Sequence, residues 1–412
     1  MIKLKNLLKI FPETHRNLVR NPQFVRIFIG LFISRTGNWF TTIAITYAIY
    51  EITHSALSVS IIWVVTLIPQ IIFSPVLGII SDKIQDKIKF LVLFDIIRGL
   101  IVGLLFIFYR NTFIVYLIIL ANVSFGLLSY ASYQSVFPKI VGKDNLFIAN
   151  SYQNFSDNFS MIIGPLLAGI FTSKIGIKWA FIIDSFTFFI SALSWFLVNF
   201  TSNIDQVYTI IKEEVNFFDS LRVGIKFLLG DKVLKIILTM GILSMFGFGA
   251  YSALMVVFAK DILNAGVAGY GLIYVGDNIG SIIGAIGLSL IAHKILNKGK
   301  FMSIGLGAIG ITTILFALSN SLKIALLILI IEGIFVSLFQ ISEETILQLR
   351  IPENLRGRVF LVIGGLTNLS SVISMALAGI ISDLIGVRSV FIISGIIAIF
   401  SSLIGLFRLK GI

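Results

Sequence analysis

The chain has 412 residues, 57% of them hydrophobic and only 13% charged, with a formal net charge of +12. An ordinary soluble domain is about 25% charged, and a mean hydropathy of +1.01 leaves too few charges to cover a surface facing water. A soluble enzyme, a nucleic-acid-binding domain and a disordered chain are excluded, and the positive balance reads as Lys and Arg beside anionic lipid. There is no Cys, so disulfide and thiol chemistry are absent. The three histidines, His15, His54 and His293, are far apart, and neither a metal site nor a cofactor is expected.

A spanning helix takes about 20 residues, so twelve take about 240 and leave short loops. The basic stretch 1–23 reads as a cytoplasmic segment on the membrane surface, because Lys9 and Pro12 interrupt its apolar run. Spans are predicted near 25–50, 56–80, 88–108, 113–136, 148–172 and 178–199. A second set follows near 233–259, 267–292, 301–319, 323–344, 357–381 and 388–408. The stretch 200–232 is predicted to be a cytoplasmic linker, in which Phe217, Phe218, Leu221, Ile225 and Phe227 suit one face of an interfacial helix. The predicted organisation is therefore a bundle over 24–199, the linker over 200–232 and a bundle over 233–412. With both termini inside, the inner side carries 24 of the 32 Lys and Arg and the outer side 6, while Arg35 and Arg98 lie within spans. That bias supports an even number of spans with both ends cytoplasmic, and the location expected for this multi-pass protein is a bacterial plasma membrane.

Two segments repeat. Leu167-Ala168-Gly169-Ile170 matches Leu377-Ala378-Gly379-Ile380, Gly176 matches Gly386, and Phe181-Ile182-Ile183 matches Phe391-Ile392-Ile393, all at an offset of 210 residues. A constant offset near half the chain argues for duplication. The fold class expected is all-α integral membrane, with twelve transmembrane helices in two parallel six-helix pseudo-repeats. Such repeats are a transporter architecture.

Ionisable groups inside spans are costly and usually face a cavity or a partner. Those singled out are Arg35, Asp95, Arg98, Asp157, Asp184 and Asp277. Asp95 and Arg98, three apart, suit a structural ion pair. Asp277 lies near mid-span with no charged neighbour in sequence, and Asp157 lies about as deep between Asn154 and Asn158. Both suit reversible proton uptake, or an interhelical hydrogen bond. Arg35, Asn38 and Trp39 cluster in the first span, where they suit a substrate cavity or, for Trp39, a lipid contact. Arg35 suits an anionic group or an acid such as Asp157. Glu343 and Glu344 suit an inner gate with Arg350, Arg356 or Arg358, or a solvated loop. No Walker loop, His-Glu-x-x-His or Gly-x-Ser-x-Gly is present, so neither ATP-driven transport nor an enzyme is expected.

Four pieces then resemble the major facilitator superfamily, and within it the branch of macrolide-efflux proteins and siderophore exporters. Gly78-Ile79-Ile80-Ser81-Asp82-Lys83 is similar to the superfamily's loop between spans 2 and 3. Gly164-Pro165-Leu166-Leu167-Ala168-Gly169 resembles its antiporter motif. Ala180 to Ser185, which includes Asp184, and Pro352-Glu353-Asn354-Leu355-Arg356-Gly357-Arg358-Val359 resemble two segments of the branch. The resemblance covers about 24–410 and implies the major facilitator fold. It implies a cytoplasmic gating role for Gly78, Asp82 and Lys83, a sealing role for Gly164, Pro165 and Gly169, and a structural or gating role for Asp184, Arg356 and Arg358. This sequence departs from the pattern at Asp86, where the family loop usually has Arg, and at Asn38, where many branch members have an acid. The resemblance implies export of lipophilic or amphiphilic compounds by proton antiport, with a small molecule, protons and the bilayer as partners; composition excludes nucleic acid, and as nothing in the sequence demands an oligomer a monomer is expected. A dedicated siderophore or metabolite exporter, or a transport-dead scaffold, are the other readings.

Overall fold

The computed structural model describes residues 18–84, 86–142, 145–198, 217–291 and 297–409. Within them the chain forms twelve long helices and one shorter one. These are α1 (Pro22–Thr53), α2 (Ala56–Lys83), α3 (Lys87–Gly103, continued over Leu105–Phe108), α4 (Thr112–Val141), α5 (Leu146–Ile175) and α6 (Ile177–Phe196). The shorter α7 (Phe217–Gly230) precedes α8 (Lys232–Val257, ending in a π-helical turn over Phe258–Ile262), α9 (Gly266–Ile291), α10 (Lys298–Leu318), α11 (Leu322–Arg350), α12 (Glu353–Ile385) and α13 (Val387–Arg408). Among the described residues no strand occurs. Ten of the described helices are long and apolar enough to cross a bilayer, which suits a solvent where every backbone polar group must be satisfied within its own helix. The basic segment 1–17, the start of the linker with Lys212, Glu213 and Glu214, and His293 lie outside the described residues.

Polar side chains start several helices. Asp86 accepts from the Lys89 N–H at 3.1 Å, Asn111 from Ile114 at 3.2 Å, and Asn297 from Lys300 at 2.7 Å. Each satisfies a donor that the first helical turn leaves unpaired.

The helices cluster into two compact units, 1–45 with 72–209 and 46–71 with 210–412. In the first, Phe24, Ile27, Leu91, Tyr133, Phe137 and Trp195 form a buried core. α3 packs on α6 and on α4. In the second, Leu234, Ile237, Met240, Leu306, Phe339 and Val359 form the core, with α10 on α13, α9 on α11 and α8 on α12. Here Asp383 on α12 caps α2, accepting from the Ala56 N–H at 2.9 Å and from Ser55 Oγ at 3.0 Å. Tyr50 donates to Asp261, and Lys260 Nζ lies 5.4 Å from the Tyr47 ring centroid.

α7 is amphipathic. Its Leu221, Phe227 and Leu228 pack into the second core, while Arg222 and Lys226 are exposed. Ile225, grouped with the apolar face from sequence, is exposed, as are Val223 and Leu229. Gly224 allows α7 to lie against α12, because a Cβ there would stand 2.7 Å from the Arg358 carbonyl oxygen.

The duplication is visible in geometry. Gly176 (φ 95°, ψ 157°) ends α5 and begins α6, and Gly386 (φ 84°, ψ 154°) does the same between α12 and α13. Both occupy a backbone region open almost only to glycine. Gly37 on α1 packs against Asp184 on α6, and Gly247 on α8, 210 residues on, packs against Ser394 on α13 at the same offset. Gly99 meets Ser185 and Phe189, and Gly310 meets Gly395 and Ile399.

Candidate functional site

The polar groups of the first unit gather around a cavity of about 130 Å³, lined among others by Arg35, Asn38, Asp95, Arg98, Tyr133 and Trp195. α1 supplies Arg35 and Asn38, α3 the Asp95–Arg98 step, α4 Tyr133 and α6 Trp195. Arg35 Nη1 lies 2.7 Å from Asp157 Oδ1 and donates to Gln153 Oε1 at 2.8 Å. The structure therefore joins Arg35 to Asp157 across α1 and α5, and Asp157 already has a cation beside it. Arg98 Nη1 stands 4.0 Å from Asp95 Oδ1. Arg98 also donates to Asn122 Oδ1 at 3.0 Å and lies over the Phe188 ring at 4.3 Å. Asp95 Oδ2 accepts from Ser191 Oγ at 2.6 Å. Arg98 is thus held by a carboxylate, an amide and an aromatic face, a satisfied buried cation.

Asp184 is fully buried on α6, where it accepts from Thr187 Oγ1 at 3.2 Å. A Cβ at Gly37 would stand 2.8 Å from its Oδ1. Asp184 therefore sits at a helix–helix contact, within electrostatic reach of Arg98.

Trp39 is not among the lining residues of that cavity. Its side chain covers Gly164, where a Cβ would stand 2.7 Å from Trp39 Cγ and 2.9 Å from its Cβ. Gly164, Pro165, Ala168 and Gly169 are all buried on one face of α5, and the equivalent Ser374, Met375, Ala378 and Gly379 are buried on α12. Packing at the first contact is reversed in the second half. Gly249 takes the place of Trp39 and Ser374 that of Gly164, with Ser374 Cβ 3.0 Å from where a Gly249 Cβ would be.

Gly78, Asp82 and Lys83 form the last turns of α2, so the motif expected as a loop is helical to Lys83; their side chains lie outside the described residues. Arg356 donates to the Gln348 carbonyl oxygen at 2.9 Å and stands 3.9 Å from Glu353. It satisfies carbonyls at the end of α11. Arg350 pairs with Asp231 at 2.7 Å. Arg350 and Arg356 thus pair with Asp231 and Glu353 rather than with Glu343 or Glu344. The Arg358 backbone receives α7 at Gly224.

In the second unit Asp277 is half-buried, midway along α9. Sequence reasoning missed its neighbour Glu332. This residue is 4% exposed on α11, with Oε1 accepting from Thr313 Oγ1 at 3.2 Å. The signal was present, an acid in the middle of the apolar run Ala325 to Phe339. The helices touch here, since a Cβ at Gly333 would overlap the Asp277 carbonyl oxygen. Among the described residues no cluster of His, Cys, Asp and Glu suits a metal ion.

Comparison with known proteins agrees with this architecture. The family model described as transmembrane secretion effector matches residues 16–410. Macrolide efflux protein A of Streptococcus pyogenes is 22% identical over 92% of this chain and 93% of its own length. The enterobactin exporter EntS of Salmonella choleraesuis is 23% identical over 83% of this chain and 81% of its own. The crystal structure of the nucleoside transporter NupG superposes with a TM-score of 0.74 at 13% identity, covering 94% of this chain and 99% of that one. At that identity the likeness concerns the fold. The fold, the duplicated helix contacts and the full-length family match lead to one conclusion: the chain belongs to the transmembrane secretion effector family of the major facilitator superfamily of membrane transporters.

Proposed function

We propose that the protein is a secondary active exporter of lipophilic or amphiphilic compounds, macrolide-like drugs among them, which exchanges cargo for protons by alternating access of its two six-helix halves, 24–199 and 233–412. It works as a monomer in a bacterial plasma membrane with both termini in the cytoplasm. Asp277 and Asp157 are the acids assigned to proton coupling. The observation that carries this reading is Asp277, a carboxyl in mid-helix with no other charged group on α9. Intramembrane acids of this kind mark ion pathways. Asp157 differs, because Arg35 neutralises it at 2.7 Å. Its proton is available only when that pair opens, so Asp157 couples through Arg35. Proton entry down a 100 mV gradient supplies about 2.3 kcal/mol per charge.

The test is accumulation of a labelled macrolide in efflux-deficient bacteria expressing the chain, with and without a protonophore. Lowered accumulation that the protonophore abolishes is expected. Unchanged accumulation, with the protein shown in the membrane, overturns the drug-export reading. A second reading, export of an anionic metabolite such as a siderophore, is favoured by Arg35 on the cavity wall and by the likeness to an enterobactin exporter. Competition by anionic rather than cationic probes separates the two.

A further inference from the structure

We propose that Glu332 and Asp277 form a single proton site, in which Glu332 holds the proton and exchanges it through Asp277 and the hydroxyl chain of Tyr274 and Tyr270. This rests on the proton-coupled reading of Asp277 and adds the partner and the route.

Glu332 is within electrostatic reach of Asp277, and Tyr251 on α8 is within reach of both. The helices packed against α11 are α9 and α10. On α9 Tyr274 is within electrostatic reach of Asp277, and on α10 Thr313 and Thr312 lie beside Glu332. Every other charged residue of α8 to α11 lies near a helix end: Lys232 and Lys235, the Lys260–Asp261 turn, Lys298 and Lys300, Lys323, and Glu343, Glu344 and Arg350. No described cation therefore faces the pair. Glu332 is buried beside Gly333, where α11 touches the Asp277 turn of α9; two carboxylates on touching turns in a desolvated setting do not both stay ionised, and one proton is the least costly neutraliser.

The first half shows the contrast. There Asn122 stands 210 residues before Glu332 and accepts from Arg98. The α3–α10 offset is 211, as Asp86 with Asn297 and Gly99 with Gly310 show. At that offset Arg98 falls on Ile309, so the duplication has put an acid where the amide was and removed the cation.

Two unpartnered buried atoms point into the site. Glu332 Oε2 has no hydrogen-bond partner although the residue is only 4% exposed, and Tyr251 OH has none although that residue is 7% exposed. A bare oxygen of an ionised carboxylate there would be costly, whereas a protonated one is a neutral donor. The protonated oxygen is thus assigned to Oε2, while Oε1 accepts from Thr313.

The route follows α9. Thr46 Oγ1 lies 3.3 Å from Tyr270 OH, which lies 3.2 Å from Tyr274 OH. Asp277 follows one turn later on the same helix, within electrostatic reach of Tyr274. Each hydroxyl accepts one proton and passes on its own. A proton leaving Glu332 goes to the Asp277 carboxylate and then to the two tyrosines, whose far end at Tyr270 and Thr46 is fully buried in this state; water takes it when the carrier opens, and Glu332 is left as the carboxylate. Loading reverses each step.

The test is infrared difference spectroscopy of the full-length protein in phosphatidylcholine–phosphatidylglycerol vesicles, without cargo and without a gradient. At neutral pH the wild type is expected to show a protonated-carboxyl band that shifts when the protein is grown with carboxyl-labelled glutamate. Glu332→Gln should lose that band and Asp277→Asn should keep it. Tyr274→Phe should keep it but slow its conversion in D2O. A band that ignores the glutamate label, survives in Glu332→Gln at full intensity or vanishes in Asp277→Asn overturns the assignment. An unchanged exchange rate in both Tyr274→Phe and Tyr270→Phe overturns the route. If Glu332→Gln fails to fold, Glu332→Asp keeps the test decisive, because its band should no longer shift with the glutamate label. Because no transport is read, failure of drug export in cells leaves the spectroscopic outcome independent.

Discussion

The buried charges of the two units are handled in different ways. In the first, Arg35 and Arg98 each sit beside carboxylates, and amides and serines take up remaining valences. Removing one partner there leaves an uncompensated charge, which is costly in a desolvated site. In the second, Asp277 and Glu332 face no described cation. Asp277→Asn is therefore expected to abolish protonophore-sensitive efflux while leaving cargo binding intact. Equilibrium binding and accumulation measured on the same variant check this, and normal pumping by the mutant would sink the assignment. Arg98→Met is expected to destabilise the first unit, by about 3 kcal/mol or more because Asp95 is left buried and unpaired. Thermal unfolding in detergent checks the sign. Asp95→Asn combined with Arg98→Met should recover much of the loss.

At the scale of elements, stability rests on close helix approach and on caps. Gly164→Ala should clash with Trp39, with an overpacking cost of about 1–3 kcal/mol. The double change Gly164→Ser with Trp39→Gly copies the arrangement of Ser374 and Gly249 in the other half. It should melt higher than Gly164→Ala alone, and a melting temperature no higher would show that the contact is not what glycine serves. Asp231 caps α8, accepting from the Val233 and Leu234 N–H groups at 2.7 and 3.1 Å, and pairs with Arg350. Burial pushes its carboxyl up, but the Arg350 guanidinium and those two amides outweigh this and hold it below the usual carboxylate range. A depressed native value means stability that is present above the unfolded value of about 4 and lost as pH falls through the native one. Asp231→Ala should cost about 1 kcal/mol at neutral pH. The difference in melting temperature between wild type and variant should shrink as the pH is lowered below about 4.

At the scale of the whole molecule, the duplication is both a record of origin and a constraint. Gly176 and Gly386 hold equivalent turns at φ 95° and 84°. Gly176→Ala and Gly386→Ala should each cost about 1–3 kcal/mol, and comparable losses from the two would show that the halves share one mechanical design. Much of this was legible in the chain. The α5–α6 and α12–α13 repeat, the twelve apolar runs and the mid-span position of Asp277 all announce themselves through local composition and a fixed offset. Glu332 was legible but overlooked, as a single acid in the apolar run of α11. The amino-acid sequence determines the span count and the family, because hydrophobic length and motif spacing are properties of contiguous residues. The partners of its buried charges belong to the tertiary structure alone. Arg35 finds Asp157 across 122 positions, Arg98 finds Asn122 across 24, and Glu332 finds Thr313 across 19. Which carboxyl has a cation beside it depends on helix packing, which brings distant positions into one desolvated space.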